Sequence, residues 1–154
     1  IVYKTYQMYR KDYFDILNYD INNFSDKKLG IKLVRGAYLN QDKKYNILCG
    51  SINETHKNYN KAIELFNLTG KKSDKLICAT HNEDSMNLAK QLIDKSDKRI
   101  SFAHLLGMSD KQSHQLSKNY TVYKYLPYGN LLDTLPYLIR RLYENYPMAR
   151  NLLK

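Results

Sequence analysis

Several residue types are scarce in this sequence, and each shortage argues against a class of protein. The 154 residues contain two cysteines, Cys49 and Cys78, whose spacing fits neither a disulfide framework nor a metal site. No apolar stretch approaches the ~18 residues of a membrane-spanning helix. No glycine-rich phosphate loop follows the first predicted strand, which counts against a dinucleotide-binding Rossmann domain. We expect Cys78, which lies inside an apolar run, to be a buried and reduced thiol.

Acidic residues are also scarce, with 15 Asp and Glu against 25 Lys and Arg and a net charge of +10. Such an excess would favour binding to nucleic acid or to an anionic membrane if the charge were clustered. The lysines are instead spread along the chain, for example at Lys27, Lys71 and Lys118, and they accompany abundant Asn and Tyr. An AT-rich genome alone produces that bias. We therefore predict no nucleic-acid partner.

The remaining composition is that of a globular protein, with 43% hydrophobic and 26% charged residues. A chain of this length fits one domain with a sizeable core. It begins without Met, on residues typical of the middle of a strand, and shows no signal or transit peptide. We therefore expect a fragment of a longer protein, so the missing targeting segment says little about location.

A short apolar run, a polar tip and a longer amphipathic stretch recur five times. The predicted strands are 1–6, 31–35, 76–79, 100–103 and 121–124, and the last predicted helix is 135–145, capped by Asp133 or Thr134. Strands that alternate with helices predict an α/β fold with a parallel sheet. A unit takes about 30 residues and an eight-unit barrel ~250. We therefore predict that residues 1–154 form the C-terminal portion of a single (β/α)8 TIM-type barrel, about its last five βα units.

Polar side chains follow each predicted strand, and in such sheets ligands bind at the C-terminal ends of the strands. A Gly36-Ala37 pair among them lets the backbone approach a flat ligand closely. Each group alone has a structural explanation as a cap, a packed aromatic or a satisfied histidine, but together they favour a binding site. The groups are Gln7, Lys32, Arg35, Tyr38, Thr80, His81, Asn82, His104 and Tyr125.

The last predicted helix carries an arginine pair, Arg140 and Arg141. Tyr137 and Glu144 share a helix face with them at the spacing i, i+3, i+4, i+7. Two adjacent guanidinium groups suit a carboxylate or a phosphate. A solvated basic face, with a surface ion pair between Arg140 and Glu144, is the alternative interpretation.

Three functions remain open on these residues alone. One is an enzyme with a cofactor over the barrel mouth and an acidic substrate on Arg140 and Arg141. The second is a metal-dependent hydrolase that uses His81 and His104, but it lacks a carboxylate at a strand tip or a His-x-His pair. The third is a non-catalytic binding module or a decayed remnant.

Several multi-residue runs, in order over nearly the whole chain, resemble the motifs of the proline dehydrogenase family, and most closely its eukaryotic type. A further short run, TYQ at 5–7, resembles the strand tip that precedes them in that family. The 40–59 region matches loosely, so nothing is carried over from it. The runs are KLVRGAY (32–38), ATHN (79–82), LLGM (105–108), YKYLPYG (123–129) and PYLIRR (136–141), with Glu144 and Asn145 beyond.

The resemblance implies a flavin-dependent (β/α)8 barrel that oxidises L-proline to 1-pyrroline-5-carboxylate and passes electrons to a quinone. Arg140 and Arg141 are expected to grip the proline carboxylate, and Glu144 to orient them. Tyr125 and Tyr137 are expected to wall the proline ring. In eukaryotes the family implies a location at the matrix side of the mitochondrial inner membrane, with peripheral membrane association. An inactive flavin-binding remnant is the alternative, because an expected Lys and Asp of the family's earlier strands are missing.

The same resemblance implies contacts with FAD. Lys32 is expected beside the reactive edge of the isoalloxazine, and Tyr38 near the substrate. His104 stands where relatives more often carry Gln, and is expected to contact the flavin as well. The other expected cofactor contacts are Gln7, Val34, Gly36, Ala37, Thr80, His81 and Asn82.

Overall fold

The computed structural model describes residues 2–24, 26–94, 97–132 and 134–140. The chain forms two compact units, Ile1–Lys124 and Tyr125–Lys154. No helix within the described ranges is long and apolar enough to cross a membrane.

The first unit is built on a parallel sheet whose strands follow one another in chain order. Lys32 pairs with Thr5 on one side and with Ile77 on the other, and Ile77 pairs with Ser101. An unreversed order is that of a barrel, because a doubly wound sheet reverses its strand order at a switch point. The strands are β1 (Tyr3–Gln7), β2 (Gly30–Val34), β3 (Lys75–Ala79), β4 (Ile100–Leu105) and β5 (Thr121–Tyr125).

Helices connect these strands, and side-chain caps define where two of them begin. The Ser51 hydroxyl accepts a hydrogen bond from the Glu54 N–H (3.1 Å), while Glu54 accepts one from the Gly50 N–H (2.7 Å), an arrangement close to a capping box. Asn82 caps the next long helix by accepting from the Ser85 N–H at 2.9 Å. The helices are α1 (Tyr13–Asn23), α2 (Leu39–Asp42), a 3₁₀ turn (Lys43–Tyr45), α3 (Ile52–Thr69), α4 (Glu83–Leu92) and α5 (Asp110–Ser117).

Two expectations about element bounds are wrong. The polar sequence of 40–53 predicts a long loop, but most of α2 and the 3₁₀ turn lie within it. The last helix begins before Thr134, because 131, 132 and 134–140 are helical. Asn130 begins it: its side-chain oxygen accepts from the Leu132 N–H (3.2 Å) and its carbonyl from the Thr134 N–H (2.9 Å). An asparagine one turn earlier already satisfies the free N–H groups.

Alternate strand residues face the helices and form the core. Tyr6 and Lys4 of β1 both reach Asp20 of α1, with the Tyr6 hydroxyl 2.6 Å and the Lys4 ammonium 2.5 Å from the same carboxylate oxygen. Cys78 is buried, and burial raises the pKa of its thiol to about 12, as expected for an unreactive structural cysteine. The other buried strand residues on this face are Ile31, Leu33, Leu76, Ile100 and Phe102.

Asp74 ties together the turns that precede β2 and β3. Its side chain is fully buried and accepts hydrogen bonds from the backbone N–H groups of Leu29 (3.0 Å) and Lys71 (2.9 Å). Without this carboxylate two backbone N–H groups would be left without their hydrogen-bond partner. That would lower the free energy of unfolding more than the loss of a typical exposed contact does.

Replacing Asp74 tests this arrangement. We expect Asp74→Ala to lower the free energy of unfolding by about 2–4 kcal/mol, since two donors lose a charged acceptor. Asp26→Ala, at an exposed carboxylate in the same region, is the control and should change it by less than about 0.5 kcal/mol. Denaturant unfolding of the intact protein measures both. Equal effects of the two variants would show that Asp74 has no special role.

Candidate functional site

The inner side of the sheet forms a shelf of short side chains at its C-terminal end. Gln7 pairs with Val34, and Ala79 pairs with Ala103. Because Leu33 pairs with Cys78, Val34 and Ala79 stand at one level. Lys32 stands two residues before Val34 on the same side of β2. A flat apolar floor with a cation at one side suits a planar ring system that becomes negatively charged.

The backbone after β2 approaches this shelf closely. Gly36 has φ +155°, and a Cβ built there would lie 2.2 Å from Cδ1 of Tyr9, so only glycine fits. The Ala37 N–H donates to the Gln7 side-chain oxygen at 3.2 Å. Three predicted cofactor residues, Gln7, Gly36 and Ala37, therefore lie together. Tyr38 follows them with its side chain about half exposed.

Replacing Gly36 should be costly for both steric and conformational reasons. We expect Gly36→Ala to lower the free energy of unfolding by about 2–4 kcal/mol, from overpacking against Tyr9 and from a strained φ. At Gly50 a new Cβ would meet nothing closer than the Glu54 carboxylate at 3.5 Å. Gly50→Ala is therefore the control, with a change below about 0.5 kcal/mol. Thermal and denaturant unfolding compare them. A Gly36→Ala protein as stable as the control would contradict the packing described.

Arg35 holds the tip of β3, a role that sequence reasoning missed. Its Nε donates to Nδ1 of His56 (2.9 Å), its Nη2 to the Ser85 hydroxyl (2.9 Å), and its Nη1 to the Thr80 hydroxyl. The guanidinium also lies 4.5 Å from the ring centroid of Tyr59. Burial lowers the pKa of Arg35, but a guanidinium stays charged in a protein. The sequence predicts Arg35 at a strand tip. Its partners lie far along the chain, so no local sequence pattern indicates these contacts.

The Thr80–Asn82 segment is ordered by its own side chains. The Thr80 hydroxyl accepts from the Asn82 N–H at 3.0 Å, and the Asn82 side-chain oxygen caps α4. Asn82 therefore has the capping role that was its structural alternative, and Gln7 similarly uses its oxygen on Ala37. The NH₂ group of each amide is then the part that a ligand could use.

The imidazole rings of His81 and His104 are stacked, with centroids 5.1 Å apart and an interplanar angle of 27°. Nδ1 of His81 is 2.9 Å from the Ser109 hydroxyl, and Nδ1 of His104 is 2.7 Å from the Ser113 hydroxyl. His104 is 2% exposed, and its Nε2 has no well-formed hydrogen bond within the described residues. A buried nitrogen of this kind suits a polar group of a ligand.

Both histidines are held in the neutral form. Burial, with His104 and Lys124, lowers the pKa of His81 to about 4. Burial and Lys124 also lower the pKa of His104, against smaller opposing effects of the Thr80 backbone and Asp110. In the part of the chain that the structure describes, no group of three His, Cys, Asp or Glu side chains could hold a metal ion.

The second unit contains part of the predicted substrate site. The ring centroids of Tyr125 and Tyr137 are 6.1 Å apart at an interplanar angle of 52°. The Arg140 guanidinium lies 5.9 Å from the Tyr137 centroid, within cation–π range. Arg141 and Glu144 lie outside the described residues. Within this unit, three of the five predicted substrate side chains are neighbours.

Comparison with known proteins decides the family. The sequence model of proline dehydrogenase matches residues 1–152. The chain belongs to the proline dehydrogenase family. Proline dehydrogenase 1, mitochondrial, of Dictyostelium discoideum is 39% identical over 94% of this chain and 29% of that protein. Hydroxyproline dehydrogenase of Xenopus laevis is 36% identical over 99% of this chain and 37% of that protein. The chain thus spans about a third of the length of these proline dehydrogenase relatives.

Solved structures agree on the fold. Proline utilization A of Bdellovibrio bacteriovorus, inactivated by N-propargylglycine, superposes with a TM-score of 0.83 at 22% identity, over 93% of this chain and 16% of that one. A proline utilization A structure with proline bound in remote sites gives 0.81 at 26% identity, with the same coverage. The predicted α/β fold of βα units from a TIM-type barrel is confirmed. Membership in this proline dehydrogenase family removes the metal-hydrolase interpretation.

The neutral histidines predict how stability depends on pH. Lowered pKa values for His56, His81 and His104 mean that folding favours their deprotonated forms. Their contribution is full above the ordinary pKa of 6.5 and is lost as the pH falls towards about 4, the folded pKa of His81. Denaturant midpoints of the intact protein should therefore fall across this range. His81→Gln should flatten the fall, while His114→Gln, at an exposed histidine of α5, should not. An unchanged slope in His81→Gln would contradict the prediction.

Proposed function

We propose that the protein containing this chain oxidises L-proline to 1-pyrroline-5-carboxylate with FAD, as part of proline catabolism. The observation that carries the proposal is the family match over residues 1–152, in which the predicted cofactor residues cluster at one end of the sheet. An inactive flavin-binding remnant is the second candidate, and the experiment below separates the two.

The residues present fit a flavin. The shelf of Val34, Ala79 and Ala103 is apolar, and Gly36 lets the backbone come close. Bound FAD supplies the chemistry by accepting a hydride from the carbon next to the substrate nitrogen. The residues that would hold it are Gln7, Lys32, Val34, Gly36, Ala37, Thr80, His81, Asn82 and His104.

Electrostatics support the same assignment. Lys32 would place its ammonium group beside the edge of the ring system and stabilise the negative charge that builds up there. The N-terminus of α4 follows His81 and Asn82, and a helix N-terminus favours anionic groups such as the FAD phosphates, although Glu83 and Asp84 in the first turn of α4 oppose this effect. The charged Arg35 behind Thr80 adds positive potential at the same place.

The second unit would bind the amino acid. Arg140 and Arg141 suit the substrate carboxylate, because a guanidinium fork matches two carboxylate oxygens. Tyr125 and Tyr137 would enclose the apolar ring, and Glu144 would orient the arginines. In support, Arg140 already lies against Tyr137, and Tyr137 against Tyr125.

Substrate choice needs a direct comparison, because relatives of similar identity are named for two different amino acids. Proline dehydrogenase 1 of Arabidopsis thaliana and hydroxyproline dehydrogenase of Bos taurus are both 37% identical to this chain. We propose proline as the substrate, and a higher kcat/KM for proline than for hydroxyproline is the expected result.

We further propose a quinone as electron acceptor and a mitochondrial location, at the matrix side of the inner membrane with peripheral association. Relatives named as mitochondrial proteins, from Dictyostelium discoideum to Homo sapiens, support the location. Fractionation of mitochondria with a tagged intact protein tests it.

The deciding experiment is the visible spectrum of the intact protein, purified with FAD and kept anaerobic, before and after addition of L-proline. Flavin bands that stay with the protein and bleach with proline are the expected result. Bands that stay but do not bleach would identify the inactive remnant. Loss of flavin on gel filtration would overturn both candidates.

Arg140 offers a quantitative test of the substrate site. We expect Arg140→Ala to weaken proline binding about 10- to 100-fold, because a charged hydrogen-bonding partner of the carboxylate is lost. Lys111→Ala removes the same charge at an exposed cation of α5 that is not a predicted site residue, and should leave binding unchanged. Titration of the flavin spectrum with a non-reacting proline analogue measures both. Equal affinities of Arg140→Ala and the unmodified protein would refute the assigned role.

A further inference from the structure

Tyr9 lies two residues after the end of β1 and packs its ring on Gly36. Its side chain is buried, with 6% exposure of the residue, and three of its ring carbons lie 2.2–2.5 Å from where a Gly36 Cβ would stand. The ring therefore fills the space next to the glycine and limits the movement of the backbone there. Neither residue can be enlarged without displacing the other.

The Tyr9 hydroxyl reaches further along the same segment. It donates a hydrogen bond to the Asp42 carboxylate at the end of α2. Burial and this carboxylate raise the pKa of Tyr9 well above its usual value, against a smaller effect of the Tyr38 backbone beside it. The hydroxyl thus remains protonated and acts as a donor. One side chain contacts the start, the middle and the end of the segment 36–42.

Two backbone hydrogen bonds fix the position of Tyr9. Its N–H donates to the Arg35 carbonyl at 2.7 Å, and its carbonyl accepts from the Cys49 N–H at 2.8 Å. The neighbouring Met8 N–H donates to the Val34 carbonyl at 2.9 Å, which continues the pairing of β1 with β2. Tyr9 is therefore attached to the rigid sheet before the segment and to the chain after it.

We propose that Tyr9 is a positioning residue, which holds the Gly36–Ala37–Tyr38 backbone against the planar ring system of the cofactor. The inference rests on the proposed function for the identity of that ring system as a flavin. The structural part of the inference does not depend on that identity: a buried tyrosine fixes a segment that contains only the four-residue helix α2. Gln7 supports the same segment through Ala37, so Tyr9 and Gln7 hold it from two strand-tip positions.

Tyr9→Phe is the sharpest probe, because it keeps the ring on Gly36 and removes the hydrogen bond to Asp42. Asp42→Asn changes the acceptor side of the same bond. Tyr45→Phe, at an exposed tyrosine in the same connection, is the matched control. Two readouts are needed: amide hydrogen exchange of peptides that cover 36–42, and the rate constant of flavin reduction by proline in the intact protein.

We expect Tyr9→Phe to speed hydrogen exchange of the 36–42 peptides about 10-fold, since their local opening loses one hydrogen bond to a charged group. We expect flavin reduction to slow about 10-fold, with proline affinity changed by less than about twofold, because orientation rather than substrate binding is lost. The double variant with Asp42→Asn should be no slower than Tyr9→Phe alone, because the Asp42 side chain has no part in this interaction once the Tyr9 hydroxyl is gone.

The outcomes separate this inference from the proposed function. If exchange of 36–42 in Tyr9→Phe equals that of Tyr45→Phe, Tyr9 does not position the segment and the inference is overturned. A fall in thermal stability with unchanged exchange and kinetics would overturn it equally, since Tyr9 would then only pack. If the flavin of the unmodified protein never bleaches with proline, the proposed function fails. Faster hydrogen exchange in Tyr9→Phe would still support the role of Tyr9 in holding the 36–42 segment.

Discussion

The tip of β3 depends on one half-buried cation. Arg35 leaves the end of β2 and joins His56 of α3, Thr80 after β3 and Ser85 of α4 through three hydrogen bonds, with the Tyr59 ring beneath. Within the described residues no carboxylate pairs with it. Loss of the guanidinium would leave several half-buried polar groups unsatisfied at once, which is far more costly than loss of a surface contact.

This arrangement leaves positive charge where a ligand is expected. A structural ion pair would neutralise the arginine, whereas hydroxyl and imidazole partners orient it and leave its charge in place. Lys32 places a second positive charge on the inner side of the sheet, whose floor stays apolar, while Glu83 and Asp84 in the first turn of α4 offset the helix dipole. Both properties suit a large cofactor with a flat ring and phosphate groups. The lowered pKa values of His81 and His104 come mainly from burial, with a smaller contribution of Lys124 to both.

The sequence predicted the repeating architecture well, because alternation of strands with helices depends on local patterns. All five strands appear within two residues of their expected positions, and the tip residues Gln7, Gly36 and Ala37 come together. The contacts of Arg35 and Tyr9 could not be predicted in this way. Their partners lie far along the chain, and a tyrosine among 15 gives no sign of which one packs on a glycine. The Asn130 cap was missed because Asp133 and Thr134 offer equally good capping chemistry three residues later.

The unreversed strand order also affects how the chain is made. Each of the first four strands pairs with the strand that comes next in sequence, so no pairing must wait for a distant segment. Contact order is low for a parallel sheet, and the entropy lost in closing each connection is that of a single crossover. On the ribosome, β2 can pair with β1 as soon as it has emerged, and each later unit adds to an edge that already exists. Assembly of this segment can thus proceed in strand order, from β1 towards β5, in step with synthesis.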